Sequence, residues 1–263
     1  MKKKYFKEFD YKIFFKKLEI HKYENILINS NILEFLINQK RDKRIFSIPK
    51  FVNHLINALN SKATLFIPAY NWDFCKGKIY DPQKTEPKTG SLAKAIMSRS
   101  DFVRTNNPIY SFFVYGKKAQ KFLKKNDNNC FSIKSVFGYL IEKKAINLFL
   151  GVDYKNAFTF VHVAEQKARV NYRYLKVFKG KVVQNKKIKK KQIKLYVRNL
   201  KMGISSTEIN KKLDKELFKK KLLINRKVLN IKVQKLLISE AYNLILKDLS
   251  KKNFKFVIPK KIQ

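Results

Sequence analysis

The chain has 263 residues, 45% of them hydrophobic and 14% aromatic, which is enough for a buried core and excludes a disordered chain. Its 60 Lys and Arg against 19 Asp and Glu give a formal charge of +41, which would draw any polyanion without selecting one. Two cysteines with no Cys/His cluster argue against a disulfide framework and a zinc finger, and no apolar run reaches the length of a membrane span.

In chain order, the basic start "MKKKYFKEFDYKIFFKK" lacks the apolar stretch of a secretory signal, so a reduced, cytoplasmic protein is expected. Lys12–Leu18 has apolar residues at helical spacing. "NILINSNILEFLI" (Asn25–Ile37) begins as a buried strand and turns at Ser30–Asn31. A helix is predicted over Ile48–Leu59, with Pro49 in its first turn, where a missing N–H costs nothing. Ala63–Tyr70 reads as a strand ended by Pro68, followed by an aromatic and acidic loop, "NWDFCKGKIYD" (Asn71–Asp81).

Gly90–Ser100 and Gly116–Lys125 are predicted helices on either side of a strand over Ser111–Gly116. Ser135 is placed to cap a helix reaching Ala145. The strand "INLFLG" (Ile146–Gly151) leads to the octet "TFVHVAEQ" (Thr159–Gln166). Beyond it come a basic hairpin-like segment, Val177–Val197, and two predicted helices, Ser206–Lys220 and Val233–Lys247. Alternating strands and helices without a repeat or linker predict one continuous layered α/β domain over 1–263, with the segments from about 177 packed on its core.

Of three histidines, His54 has no acidic neighbour at i+3 or i+4 and reads as structural, and His21, expected near the surface, is assigned no role. His162 has Glu165 at i+3, on the same helical face. By itself such a pair is usually an ordinary histidine near a helix start. Cys75, inside an aromatic loop, reads as packed rather than as a nucleophile. Dense runs such as "NKKIKKK" (Asn185–Lys191) read as solvated, with no motif of a nucleic-acid reader.

Several stretches taken in order carry more. "NWDFCKGKIYD", "RTNNPIYSFFVYG" (Arg104–Gly116), "SVFGYL" (Ser135–Leu140), "FLGVDY" (Phe149–Tyr154), the octet and "YRYLKVFKG" (Tyr172–Gly180) resemble the aminoglycoside 3-N-acetyltransferase-like family. The resemblance runs from about Asn29 through the C-terminal helices, and its specificity lies in the ordered set. It implies an α/β/α layered fold with a central mixed sheet, acetyl-CoA as cosubstrate without a metal, and an amine on a sugar as acceptor. The His-x-x-Glu element matches His162 and Glu165 as catalytic residues.

The family's Ser-Ser-Leu element near the coenzyme becomes Ser30-Asn31-Ile32-Leu33, and the Ser of its Gly-x-x-Ser element matches Ser135, with Ser132 in place of the glycine. Arg-Ser-x-His-Pro becomes Arg104-Thr105-Asn106-Asn107-Pro108, and the Thr-Pro-Ser element is altered to "TEPKTG" (Thr85–Gly90). The resemblance thus puts Ser30, Asn31, Arg104, Asn107 and Ser135 near the coenzyme. Asn107 stands where a histidine is usual; asparagine can orient a partner by hydrogen bonds but cannot carry a proton near pH 7. Trp72, Asp73 and Phe74 are candidates for the acceptor site, since aromatic faces stack on sugar rings, although packing the loop would explain both rings.

The chemistry suits these residues. An alkylammonium with a pKa of about 10 is mostly protonated at pH 7, so acetylation gains from a base, and imidazole at about 6.5 can serve. The charge disfavours an aminoglycoside polycation and favours a neutral or anionic amino sugar, such as a surface-glycan precursor. The rival reading is a catalytically degenerate relative acting as a basic nucleic-acid- or membrane-surface-binding protein. A homodimer stays open.

Overall fold

Asn25–Ser30, Thr64–Pro68 and Ile146–Leu150 are almost continuously apolar, and strands of that kind need cover on both faces. In the computed structural model, which describes residues 6–124 and 128–261, these three run parallel at the centre of a seven-stranded sheet. Asn25–Ser30 lies in the middle, its Ile26 in register with Ile146 on one side and Leu65 on the other. Phe112–Gly116 and then Val103–Arg104 extend one edge antiparallel. Ile231–Leu237 and Leu223–Val228 extend the other, also antiparallel.

Period-two alternation divides the strand side chains between two cores. Leu27, Phe66 and Phe149 pack with Phe137, Leu140, Phe160, Ala164, Ala241 and Ile245 from the helices Val136–Glu142, Phe160–Ala168 and Ile238–Ser250. Ile26, Ile28, Leu65 and Leu148 pack on the opposite face with Phe14, Phe35, Phe51 and Leu92 from four N-terminal helices. The result is the expected α/β/α layering around a mixed sheet. His54 stacks on Tyr11, ring centroids 5.1 Å apart, within the N-terminal layer.

Three expectations need correction. Val233–Leu237 is strand, and the helix begins only at Ile238; the β-branched Val233 pairs with Leu150 and the run to Leu237 continues along Ile146–Leu150, which overrides its helical spacing. Leu229 and Asn230, both at positive φ, form the tight turn that joins it to Leu223–Val228. Likewise Ser206–Ile209 lies in the strand Ile204–Ile209, paired with Val257–Lys261, and the helix there is Lys211–Lys219. In Gly116–Lys125 the helix covers only Lys121–Lys124; Gly116 closes the preceding strand at φ 105°, where a Cβ would come within 2.1 Å of the Ala63 carbonyl oxygen. Lys125 and residues 1–5 lie outside the described residues.

The basic segment is a long hairpin, Arg173–Gln184 with Lys187–Arg198, turned at Asn185–Lys186 with both residues at positive φ. It lies across the aromatic loop: the Tyr80 N–H donates to the Lys181 carbonyl (3.0 Å) and the Val183 N–H to the Tyr80 carbonyl (2.8 Å). At Gly180 a Cβ would lie 2.6 Å from the Phe74 ring, so only glycine allows this approach.

Candidate active site

Ligands of open α/β sheets sit beyond the carboxyl ends of the parallel strands, and a cleft opens there. It is a cavity of about 340 Å³. Asn29, Ser30 and Pro68 from the strand ends line it, with Thr89, Val152, Thr159 and His162. The ten-residue helix Ile32–Arg41 starts directly behind Ser30; Asn31, exposed, is its N-cap residue but makes no side-chain cap. A second cavity, about 380 Å³, lies under the hairpin between Trp72, Phe131, Tyr196, Arg198 and Thr207. Trp72, Tyr110 and His162 belong to both walls.

His162 is carried by the helix Phe160–Ala168, and its side chain is 27% exposed. Glu165, fully buried one turn on, brings Oε2 to 2.7 Å from His162 Nδ1. The Arg173 Nε stands 2.8 Å from the same oxygen, an ion pair without the alignment of a hydrogen bond, and the Tyr172 hydroxyl donates to Oε1 at 3.1 Å. Burial pushes the Glu165 carboxyl up, but His162, Arg173 and Tyr172 outweigh it and hold it below the usual range. An ionised carboxylate can only accept, so Nδ1 carries a proton, and in the neutral imidazole Nε2 is then the acceptor.

Arg173 is itself held by the Tyr196 carbonyl and the Thr207 hydroxyl, each at 3.2 Å. Burial raises the Tyr172 phenol well above its ordinary range and pushes Tyr110 up to about 12, so both stay protonated at neutral pH. Phe131 packs on the imidazole at 5.4 Å between centroids. Tyr172, Arg173, Tyr110 and Phe131 have no spacing relative to His162 that would single them out. Tyr172 and Arg173 open a stretch already noted for its resemblance, and that is the signal available in the sequence.

The remaining sequence-derived residues are spread around this centre, and most are engaged by the chain itself. Arg104 is buried and donates to the Ala69 carbonyl (2.9 Å), the Ser111 hydroxyl (3.1 Å) and the Thr85 carbonyl. Asn107 Oδ1 accepts the N–H groups of Ile109 (3.0 Å) and Tyr110 (2.9 Å), fixing the turn that presents Tyr110. Ser135 caps the helix Val136–Glu142 through the Gly138 N–H. None of these three lines either cavity. The Asp73 carboxylate is taken by Lys88 (2.5 Å), which holds its pKa down, and Phe74 is buried against Gly180. Trp72 alone of the loop trio reaches the cavities, 39% exposed and edge-on to Tyr110.

Among the described residues no helix is long and apolar enough to cross a membrane, and no group of His, Cys, Asp and Glu could hold a metal ion. Among curated proteins none matches this chain by sequence. Solved structures share its fold at low identity. The YokD protein from Bacillus subtilis is 17% identical, with a TM-score of 0.71 over 91% of this chain and 92% of its own. The aminoglycoside acetyltransferase AAC(3)-Xa is 11% identical, with a TM-score of 0.74 over 93% of each chain. AAC-IIIb, solved as a binary complex with CoASH, is 13% identical, with a TM-score of 0.73 over 92% of this chain and 95% of its own. The family model for aminoglycoside 3-N-acetyltransferase matches residues 46–248, most of the sequence, and so the chain belongs to that family of acetyl-CoA-dependent N-acetyltransferases.

Proposed function

We propose that His162 is the general base of a direct transfer, moving the acetyl group of acetyl-CoA to the amine of an amino sugar held in the cavity under the hairpin. The observation that carries this is His162 on the wall shared by both cavities, with Nδ1 on Glu165 and Nε2 unencumbered. The strand-end cavity suits the acyl arm of the coenzyme: Ile28, Ile67, Leu92 and Val152 give apolar walls, with the hydroxyls of Ser30 and Thr89 beside them. No Lys or Arg lines it, so the phosphates belong further out, where the first-turn N–H groups of Ile32–Arg41 can receive charge.

Acetyl-CoA supplies a thioester, whose carbonyl carbon takes the amine and whose C–S bond breaks to release CoA. As the N–C bond forms, Nε2 accepts the amine proton and then passes it to the departing thiolate, which leaves as the thiol of CoA. Glu165 holds the ring and stabilises the transient imidazolium. Arg173 balances the Glu165 charge. A base of this kind contributes roughly 10²–10⁴-fold.

For the acceptor, a surface-glycan amino sugar fits better than an aminoglycoside. The cavity under the hairpin is lined by aromatic rings, hydroxyls and two arginines, with no carboxylate to meet a polycation. A thiol-release assay with acetyl-CoA against glycan amino sugars and aminoglycosides tests both parts. His162→Ala should cut turnover by roughly 10²–10⁴-fold while leaving acetyl-CoA binding by calorimetry intact. A folded His162→Ala that still turns over at the wild-type rate would refute the base, and efficient acetylation of kanamycin alone would refute the acceptor.

A further inference from the structure

Arg198 stands directly opposite Arg173 across the hairpin, a like-charge cross-strand pair that costs stability unless each cation has a counter-charge. Arg173 is buried and has Glu165. Arg198 is exposed at the cavity rim, and among the described residues it makes no hydrogen bond or ion pair. It also belongs to an adjoining open groove of about 470 Å³, lined by Lys176, Lys201, Tyr174, Phe178 and Leu200, again without a carboxylate. The Lys176 ammonium rests over the Phe178 ring at 5.1 Å, which orders it along the groove.

From this arrangement we infer that the acceptor amine belongs to a sugar carrying a diphosphate, read by Arg198 with Lys201 and Lys176. This rests on the acetyl-transfer reading and specifies its substrate. The sugar occupies the cavity at His162; the diphosphate crosses the rim at Arg198, whose planar fork matches phosphate oxygens. The group beyond meets Tyr174, Phe178 and Leu200, surfaces that a nucleoside base can stack on or a lipid chain can lie against. The recognised chemistry is the sugar diphosphate, whichever group it carries.

The test is a steady-state comparison of three acceptor series with the amine at C2, C3 or C4: free amino sugars, their uridine-diphosphate forms and their polyprenyl-diphosphate forms. At least one diphosphate series should have a KM roughly ten- to a hundredfold below its free sugar, the worth of one or two charge-assisted hydrogen bonds. Arg198→Glu should collapse that ratio toward one, and Arg198→Gln should do so partly. Which series is preferred tells a nucleotide-linked from a lipid-linked acceptor. Equal use of free and diphosphate sugars, or a ratio that survives Arg198→Glu, overturns the inference while sparing acetyl transfer. An Arg198→Glu effect on the KM of acetyl-CoA instead would assign the groove to the coenzyme and overturn it too. No acetylation of any amine by a chain that binds acetyl-CoA would sink the acetyl-transfer reading first, and this inference with it.

Discussion

The two cavities that meet at His162 are built differently. The one at the strand ends takes Asn29, Ser30 and Pro68 from the parallel strands themselves, so its position follows from the sheet's topology and its walls are short and mostly apolar. The one under the hairpin takes Tyr196, Val197 and Arg198 from a separate antiparallel ribbon whose outer rungs are exposed and basic. A layered α/β scaffold supplies a ligand site wherever parallel strands end, while an appended ribbon can be changed in sequence without disturbing that scaffold. On the proposed reading, the coenzyme side is therefore generic and the acceptor side is where this chain can differ from its relatives.

Substitutions that strike both sides, then one, measure how separable they are. The largest effect is expected at the shared wall: His162→Ala should cut kcat by roughly 10²–10⁴-fold with either substrate varied, while calorimetry of acetyl-CoA stays near wild type. Next is the hairpin contact. Gly180→Val would drive a side chain into the Phe74 ring, costing about 1–3 kcal/mol of stability by denaturant unfolding. The acceptor KM should then rise while that of acetyl-CoA holds; equal changes in both would show that the two cavities are not independent.

The charge balance at Glu165 comes third. Besides Glu165, the ionisable groups around the imidazole are Arg173, Tyr172, Tyr110, Tyr196 and Arg198. Removing the guanidinium in Arg173→Gln leaves an unbalanced carboxylate against His162, which favours imidazolium. The acid limb of kcat/KM should therefore move to higher pH, and Arg173→Lys should restore it. An unmoved limb in a folded Arg173→Gln would make Arg173 purely structural. The smallest effect belongs to the strand-end side. Ser30→Ala should weaken acetyl-CoA by about 0.5–1.5 kcal/mol, up to tenfold in KM, with the acceptor KM unchanged.

Legibility differed between the same regions. The central strands declare themselves as short apolar runs, and the pairing of His162 with Glu165 needs only the helical period to be seen. By contrast, Ile231–Leu237 has apolar spacing that fits either state until the edge of Ile146–Leu150 selects strand. Asn107 reads in sequence as a lost histidine, yet its carboxamide oxygen is spent on the Ile109 and Tyr110 N–H groups, an arrangement that a linear pattern does not reveal. Arg104 and Ser135, expected from the resemblance near the coenzyme, also bond groups of the chain itself, Arg104 the Ala69 carbonyl and Ser135 the Gly138 N–H, which no linear pattern reveals.

By itself the sequence determined the layered class, the apolar strands and the local pair His162–Glu165, because periodicity and near-neighbour spacing are properties of one segment at a time. Only the tertiary structure decided that Arg173 and Tyr172 close on that carboxylate, that Trp72 and Tyr110 complete the wall, and that Arg198 stands without a counter-charge among the described residues. Those contacts join a helix, an aromatic loop and a hairpin, and their geometry is set by how the hairpin crosses the sheet. Packing of separate elements has no period along the chain, so no reading of spacing could have reached it.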